Sequence, residues 1–264
     1  MKHRLERVSD LQGQNRVHSR LFVGFDPFWR GHVYRPRLTS TRDRESRVTT
    51  MLNYPLLDVR VSTPTLELRA ATDELLDQLA DLVRSGKTHA DPAPYDDPMS
   101  FYETDPDLRV AKWLQAIWRG RGKVGPDAWR LYFVVMVDGR PVGEQSLAGV
   151  SFSTLGTVTT FSWLSTDLRG RGLGHEMREA ILHLAFHGLG AKEAASDAFV
   201  DNLGSNAISQ GLGYEPNGFD WATRQGEPAL LNRWRLTRDR WEQRRRDDIQ
   251  LHNIEACHAL LPLS

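Results

Sequence analysis

Residues 161–190 read FSWLSTDLRGRGLGHEMREAILHLAFHGLG, and the reading of this stretch decides the fold. From Phe161 to Ser165 the residues are aromatic or small and suit a pleated, half-buried backbone, which predicts a strand. Arg169-Gly170-Arg171-Gly172-Leu173-Gly174 then places three glycines in five positions. Leu173, Met177, Ala180, Ile181, Leu184 and Ala185 follow at spacings of three and four, the signature of one helical face. Gly188 and Gly190 mark its end. The glycines let the backbone approach a ligand closely. The first amides of the helix lack internal partners and carry the positive end of its dipole, so the turn suits an anion such as a pyrophosphate. Arg169 and Arg171 add charge beside it. Taken alone, the turn is equally compatible with a glycine-rich connection that holds nothing. It is not a dinucleotide fingerprint, which needs glycine where His175 stands, and no Gly-Lys-Ser/Thr of a P-loop is present.

Arg169-x-x-Gly172-x-Gly174, after a strand and opening a helix, resembles the acetyl-CoA signature of the GCN5-related N-acetyltransferases (GNAT). Downstream, Asp201-Asn202-Leu203-Gly204-Ser205, continuing to Leu212-Gly213-Tyr214, resembles the D-N-x-x-S…L-G-Y/F segment of the bacterial branch that includes RimJ/RimL-type enzymes. The two motifs stand in the family's order, and the resemblance covers roughly residues 64 to 240. It implies a mixed α/β fold with a mostly antiparallel central sheet, splayed at two central parallel strands and flanked by helices. It also implies acetyl-CoA as cosubstrate and a primary amine, a protein N-terminus or a small molecule, as acceptor. On this resemblance, Arg169, Gly170, Arg171, Gly172, Leu173 and Gly174 hold the diphosphate. The backbone at Trp163, Leu164 and Ser165 receives the pantetheine arm and directs an N–H at the thioester oxygen, and Asn202 bonds the arm's amides. Many relatives carry a tyrosine four positions before the Gly-Tyr pair; that position here is Ser209. Ser205 is then the candidate donor to the leaving thiolate, with helix capping as the alternative for both Asn202 and Ser205.

Other segments carry plainer signals. Leu66, Leu68 and Ala70 alternate into a strand, and Thr72 caps a helix running to Gly86. Residues 87–106 form a proline-rich loop with Asp91, Asp96, Asp97, Glu103 and Asp105; the resemblance puts this region beside the acceptor, and a solvated loop is the alternative. A helix is predicted over 107–119, with Trp113 and Trp118 packing. Strands follow at 129–137 and 141–151 around an Asp138-Gly139 turn, then a strand at 193–200, a helix at 203–211, and two strands flanking Gln225-Gly226-Glu227. Thr237 is read as the cap of a last helix bearing Arg244-Arg245-Arg246, a solvated run. Glu144 lies inside a central strand, where an acid must be paired or solvated. It is read as facing a polar cleft and serving as general base toward an ammonium of pKa about 10. Asp167 is a second candidate, with a structural role as its alternative. His183 and His187 lack a third ligand, so no metal is expected and both are read as exposed.

The whole chain has 264 residues, 40% hydrophobic and 26% charged, with zero formal net charge. Residues 1–50 hold 11 Lys and Arg against 5 acids, leaving the remainder mildly acidic, and that balance argues against nucleic acid as a partner. The first fifty residues read as a disordered basic extension, residues 51–249 as the domain, and 250–264 as a tail; the change of pattern near Met51 also fits a chain that starts there. One cysteine, Cys257, excludes an internal disulfide. Without a long apolar run or signal pattern, no membrane is expected and a cytoplasmic location is the default. Oligomeric state stays open, a dimer included. A noncatalytic acyl-CoA-binding module is the alternative function, and a nucleic-acid arm the third.

Overall fold

The computed structural model describes residues 53–125 and 127–261. Residues 1–50, and with them the expected extension, lie outside the described residues. In chain order the strands and helices are β1 (Arg60–Ser62), β2 (Glu67–Ala70), α1 (Asp73–Arg84), α2 (Pro106–Arg121), β3 (Ala128–Val137), β4 (Arg140–Val150), α3 (Phe152–Leu155), β5 (Thr157–Leu164), α4 (Leu173–His183), β6 (Glu193–Phe199), α5 (Leu203–Gly211), β7 (Glu215–Arg224), β8 (Glu227–Thr237), α6 (Arg238–Glu242), β9 (Gln250–His252) and α7 (Glu255–Leu260). One nine-stranded sheet runs β7-β8-β6-β5-β4-β3-β2-β1-β9. Only β5 and β6 pair in parallel; the other neighbours are antiparallel.

Local chemistry sets the helix starts. The Thr72 hydroxyl accepts the Leu75 amide at 3.3 Å, and the Asp105 carboxylate accepts those of Asp107 and Leu108 at 2.9 and 2.8 Å, with Pro106 opening α2. On one face of the sheet Leu76, Leu79, Trp113 and Ile117 pack with Val134, Met136 and Trp163. On the other, Met177, Ile181 and Leu184 pack with Leu131, Phe133, Leu147 and Leu164.

The parallel pair is short. It holds Thr157↔Glu193, Val158↔Ala194 and Thr159↔Ala195, yet β5 continues to Leu164 and β6 to Phe199. Each prong stays bound to its outer neighbour, β5 to β4 as far as Gly143↔Leu164 and β6 to β8 as far as Phe199↔Leu231. The sheet therefore opens into a fork without losing either strand.

The structure corrects three readings. Residues 250–252, read as part of a tail, pair with β1 in the register Arg60↔His252 to Ser62↔Gln250, and α7 buries Cys257. Strands of three residues are too short to show an alternation, so this closure is invisible locally. Thr237 precedes α6 but makes no side-chain cap; instead Arg238 donates to the carbonyls of Phe186 and Ala191 at 2.5 and 2.8 Å. The long helix ends in a wide five-residue turn, Leu184–Gly188, against which Trp241 stacks on Phe186 with centroids 5.6 Å apart.

His183 and His187, read as exposed, are drawn in by that turn. His183 is 7% exposed, its ring lies 4.6 Å from that of His187, and His187 Nε2 accepts the Trp241 indole N–H at 3.2 Å. Burial, then the neighbouring imidazole, pushes the His183 pKa down to about 4. The unfolded chain takes up a proton near pH 6.5 where the folded chain does not, so stability present above that pH is lost as the pH falls toward 4. We expect His183→Gln to lose about 2 kcal/mol less than the parent between pH 7 and 4.5, as read by urea unfolding; equal losses would refute this. Among the described residues no helix is long and apolar enough to cross a membrane.

Candidate active site

The glycine loop leaves β5 through a short turn, Thr166–Leu168, and enters α4. Gly170 and Gly172 sit at φ +74° and +82°, and a Cβ built on either meets nothing within 4 Å. Their left-handed backbone asks for glycine, while the space above them stays open. Gly174 packs for a different reason, since a Cβ there would meet Ile208 of α5 at 3.1 Å. The amides of Leu173 and Gly174 begin α4 and have no carbonyl one turn behind them. Arg169 turns inward, donating to the carbonyls of Leu164 at 3.3 Å and Thr88 at 3.5 Å, so it braces the loop. Arg171 is exposed. Asp167 forms an ion pair with Lys87, and the Thr166 amide donates to the Lys87 carbonyl at 3.0 Å. Its role here is to tie the loop to the chain that follows α1.

Trp163, Leu164 and Ser165 end the β5 prong. The Ser165 amide is taken by the Val142 carbonyl at 2.9 Å, and β4 occupies the far edge of Trp163 and Leu164. Past Thr159 the edge of β5 that faces β6 has no strand partner. Two buried side-chain atoms at this opening also lack partners, Thr160 Oγ1 and Arg178 Nε. A slot with one free strand edge and orphaned polar atoms, leading from an anion-ready helix start, fits a phosphate-bearing carrier with an amide-containing arm.

Glu144 is not on a polar cleft. It is 2% exposed, and its Oε2 accepts the indole N–H groups of Trp113 at 2.8 Å and Trp163 at 3.1 Å. Phe101 meets Trp163 edge-on at 5.7 Å. Burial pushes the carboxyl pKa up, against the indole bonds that lower it. The sequence could not show this, because the facing of a strand residue is known only once the layer above it is placed.

On the second prong, Asn202 Oδ1 caps α5 by accepting the Ser205 amide at 3.2 Å. Ser205 is half-buried in the first turn. Asp201 binds Arg224 of β7 through both oxygens, at 2.8 and 3.0 Å, which holds its carboxyl below the usual range. The sequence reading missed Asn206, which is 7% exposed. It donates to the Phe199 and Asn202 carbonyls at 2.8 and 2.9 Å and accepts from Asn232 and Trp234 at 3.0 and 2.9 Å. This satisfied amide fixes α5 to β6 and β8. Its signal was an asparagine in the middle of a helix, where that side chain is disfavoured unless a tertiary partner holds it. Ser209 is fully buried and its hydroxyl has no partner.

The opposite face of the fork is roofed. The loop of residues 91–98 is bonded to the β7–β8 hairpin: Asp97 N to Thr223 O at 2.8 Å, Gly226 N to Asp97 Oδ2 at 2.9 Å, and Arg224 to the Ala93 carbonyl at 3.3 Å. Tyr95 packs on Phe161 of β5 at 5.5 Å. Ser196 faces α4, so alternation turns Asp197 toward this roof. Asp197 and Asp96 are both exposed, yet desolvation is the first cause of their raised pKa values and each charge raises Asp197 or is raised in company: Asp96 acts on Asp197, as does Asp220, and Asp97 acts on Asp96. Arg233 and Arg178 partly offset the shift of Asp197, and Arg130 that of Asp96. A hollow of about 200 Å³ lined by His89, Tyr102, Arg109 and Gln225 includes none of the fork residues.

Residues 65–215 match the family model described as an acetyltransferase (GNAT) domain. Among solved structures, the chain is similar to Mycobacterium smegmatis RimJ in complex with CoA-disulfide, with TM-score 0.59, 16% identity, and coverage of 77% of this chain and 94% of that one. It is also similar to RimL, the ribosomal L7/L12 alpha-N-protein acetyltransferase in complex with coenzyme A, with TM-score 0.52, 18% identity and coverage of 66% and 95%. A third is the microcin C7 self-immunity acetyltransferase MccE in complex with acetyl-CoA and AMP, with TM-score 0.51, 15% identity and coverage of 71% and 98%. These likenesses are of fold. With the family match spanning more than half of the chain, the forked sheet and the glycine loop belong to a member of the acetyltransferase (GNAT) family, and the chain is an acyltransferase.

Proposed function

We propose that this chain transfers an acetyl group from acetyl-CoA to a primary amine by direct attack. The observation that carries the reading is the fork, which opens past Thr159↔Ala195 with the glycine loop at the end of its β5 prong. Acetyl-CoA supplies an activated acyl group on a thiol leaving group. The amides at Leu173 and Gly174, with Gly170 and Gly172 leaving room, hold the diphosphate. The free edge of β5 from Phe161 to Leu164 receives the arm as an added strand, and an N–H there polarises the acyl oxygen. Ser205, on the first turn of α5, donates to the departing sulfur, whose reference pKa is about 8.5, and the Asn202 amide nitrogen serves the arm while its oxygen caps the helix. Asp96, Asp197 and Asp220 give this side of the fork a negative wall that favours an ammonium acceptor, and the raised proton affinity of Asp197 suits it to take the acceptor's proton. Glu144 acts at one remove, anchoring the Trp163 indole and thereby the β5 prong. The roof favours a slender acceptor, a peptide N-terminus or a small amine. The reaction is assigned to the cytoplasm.

Thiol release from acetyl-CoA against a panel of peptides and small amines tests this reading. A binding module that never turns over would release no thiol with any of them. In the same assay Ser205→Ala is expected to lower kcat about 10- to 100-fold while CoA affinity by calorimetry stays within twofold. An unchanged kcat would remove Ser205 from the mechanism.

A further inference from the structure

Arg178 is a buried cation that neither the fold nor the proposed chemistry has so far used. It lies on the second turn of α4 and is 5% exposed. Its Nη1 donates to Ser196 Oγ at 3.2 Å, its Nε meets no acceptor among the described residues, and Asp197 acts on it electrostatically. The Tyr214 phenol, 4% exposed, leans on the guanidinium closely enough to interact with it, but its hydroxyl makes no well-aligned hydrogen bond among the described residues. Removing a guanidinium from water without a countercharge costs several kcal/mol unless acceptors replace the water. One serine hydroxyl falls short of five N–H donors.

The place of the group points to the missing acceptor. Ser196 is the first β6 residue beyond the last β5–β6 pair, and Thr160 is the first on β5. Thr160 stands opposite Leu147, which belongs to the core under α4, so Thr160 and Ser196 share the face that carries Arg178. An unpartnered hydroxyl on one prong and, bonded to the other, a guanidinium with an unpartnered N–H thus lie on the same face at the mouth of the slot. Arg178 is also six residues past Gly172, roughly 9 Å along the helix axis. One diphosphate cannot touch both, so a ligand held at Gly172 reaches Arg178 with a later part of its length.

Resting on the acyl-CoA reading, we infer that Arg178 is a positioning residue for the carrier's arm, its guanidinium donating to an amide carbonyl where the arm passes between Thr160 and Ser196. The arm's carbonyl supplies an acceptor that the surrounding side chains do not, and the bond fixes how deep the thioester sits. Calorimetry with two ligands tests this: CoA, and adenosine 3′,5′-bisphosphate, which has the nucleotide end and no arm. Arg178→Met is expected to weaken CoA about tenfold, near 1.4 kcal/mol, and to leave the bisphosphate unchanged; Arg178→Lys is expected to weaken CoA about threefold, again sparing the bisphosphate, and decides the matter if the methionine variant does not fold. CoA affinity equal to the parent's overturns the assignment. So does equal weakening of both ligands, the mark of a residue that merely pins α4 to β6. A folded parent that binds neither ligand overturns the acyl-carrier reading itself, an outcome distinct from both.

Discussion

Gly172→Val is expected to lower affinity for CoA at least about 100-fold while costing only about 1–2 kcal/mol of stability. The backbone there has φ +82°, a conformation that a β-branched residue adopts only under strain. That strain accounts for the stability loss, and a shift of a few degrees in Tm would report it. The affinity loss has another cause. A Cβ on Gly172 meets nothing within 4 Å, so the protein itself leaves the space open. Valine fills it and denies a diphosphate its approach to the first amides of α4. Gly139 separates the two effects, because it has φ +74°, equally open surroundings, and a place in the β3–β4 turn, outside the loop's own backbone. Gly139→Val should cost similar stability and leave CoA binding unchanged. If the Gly172 variant also binds CoA like the parent, the loop is a connection and no more.

Glu144→Ala is expected to destabilise the protein by about 3 kcal/mol or more, because it leaves two buried indole donors, Trp113 and Trp163, without an acceptor. Glu144→Gln keeps an acceptor oxygen in place and should fold normally. It should also alter the pH dependence in a defined sense. Burial raises the carboxyl pKa, so the folded chain keeps this proton at pH values where the unfolded chain has released it. That contribution to stability is complete below the ordinary glutamate range and is lost as the pH rises through the raised value. The glutamine variant lacks this loss, and its stability from pH 5 to 8 should fall less than the parent's in chemical unfolding. Turnover distinguishes an anchor from a base. An anchor predicts that Glu144→Gln keeps kcat within about tenfold with an unshifted pH profile, whereas loss of the acidic limb of that profile would make Glu144 the base after all.

The sequence by itself determined the features that depend on near neighbours: the glycine turn before α4, the asparagine cap before Ser205, the Thr72 helix start, and the periodic faces that assign most strands and helices. Each is settled within a few residues, by dihedral freedom, by a capping hydrogen bond or by apolar spacing. Tertiary structure alone decided what sits opposite what. It put Glu144 against two tryptophans 31 and 19 positions away, joined residue 60 to residue 252, and bound Asp97 to a hairpin more than 120 residues downstream. It also stopped the parallel pairing at Thr159 and left Arg178 facing the gap. Burial and partnership are properties of the assembled layers, and a residue's own segment carries no record of which layer will cover it.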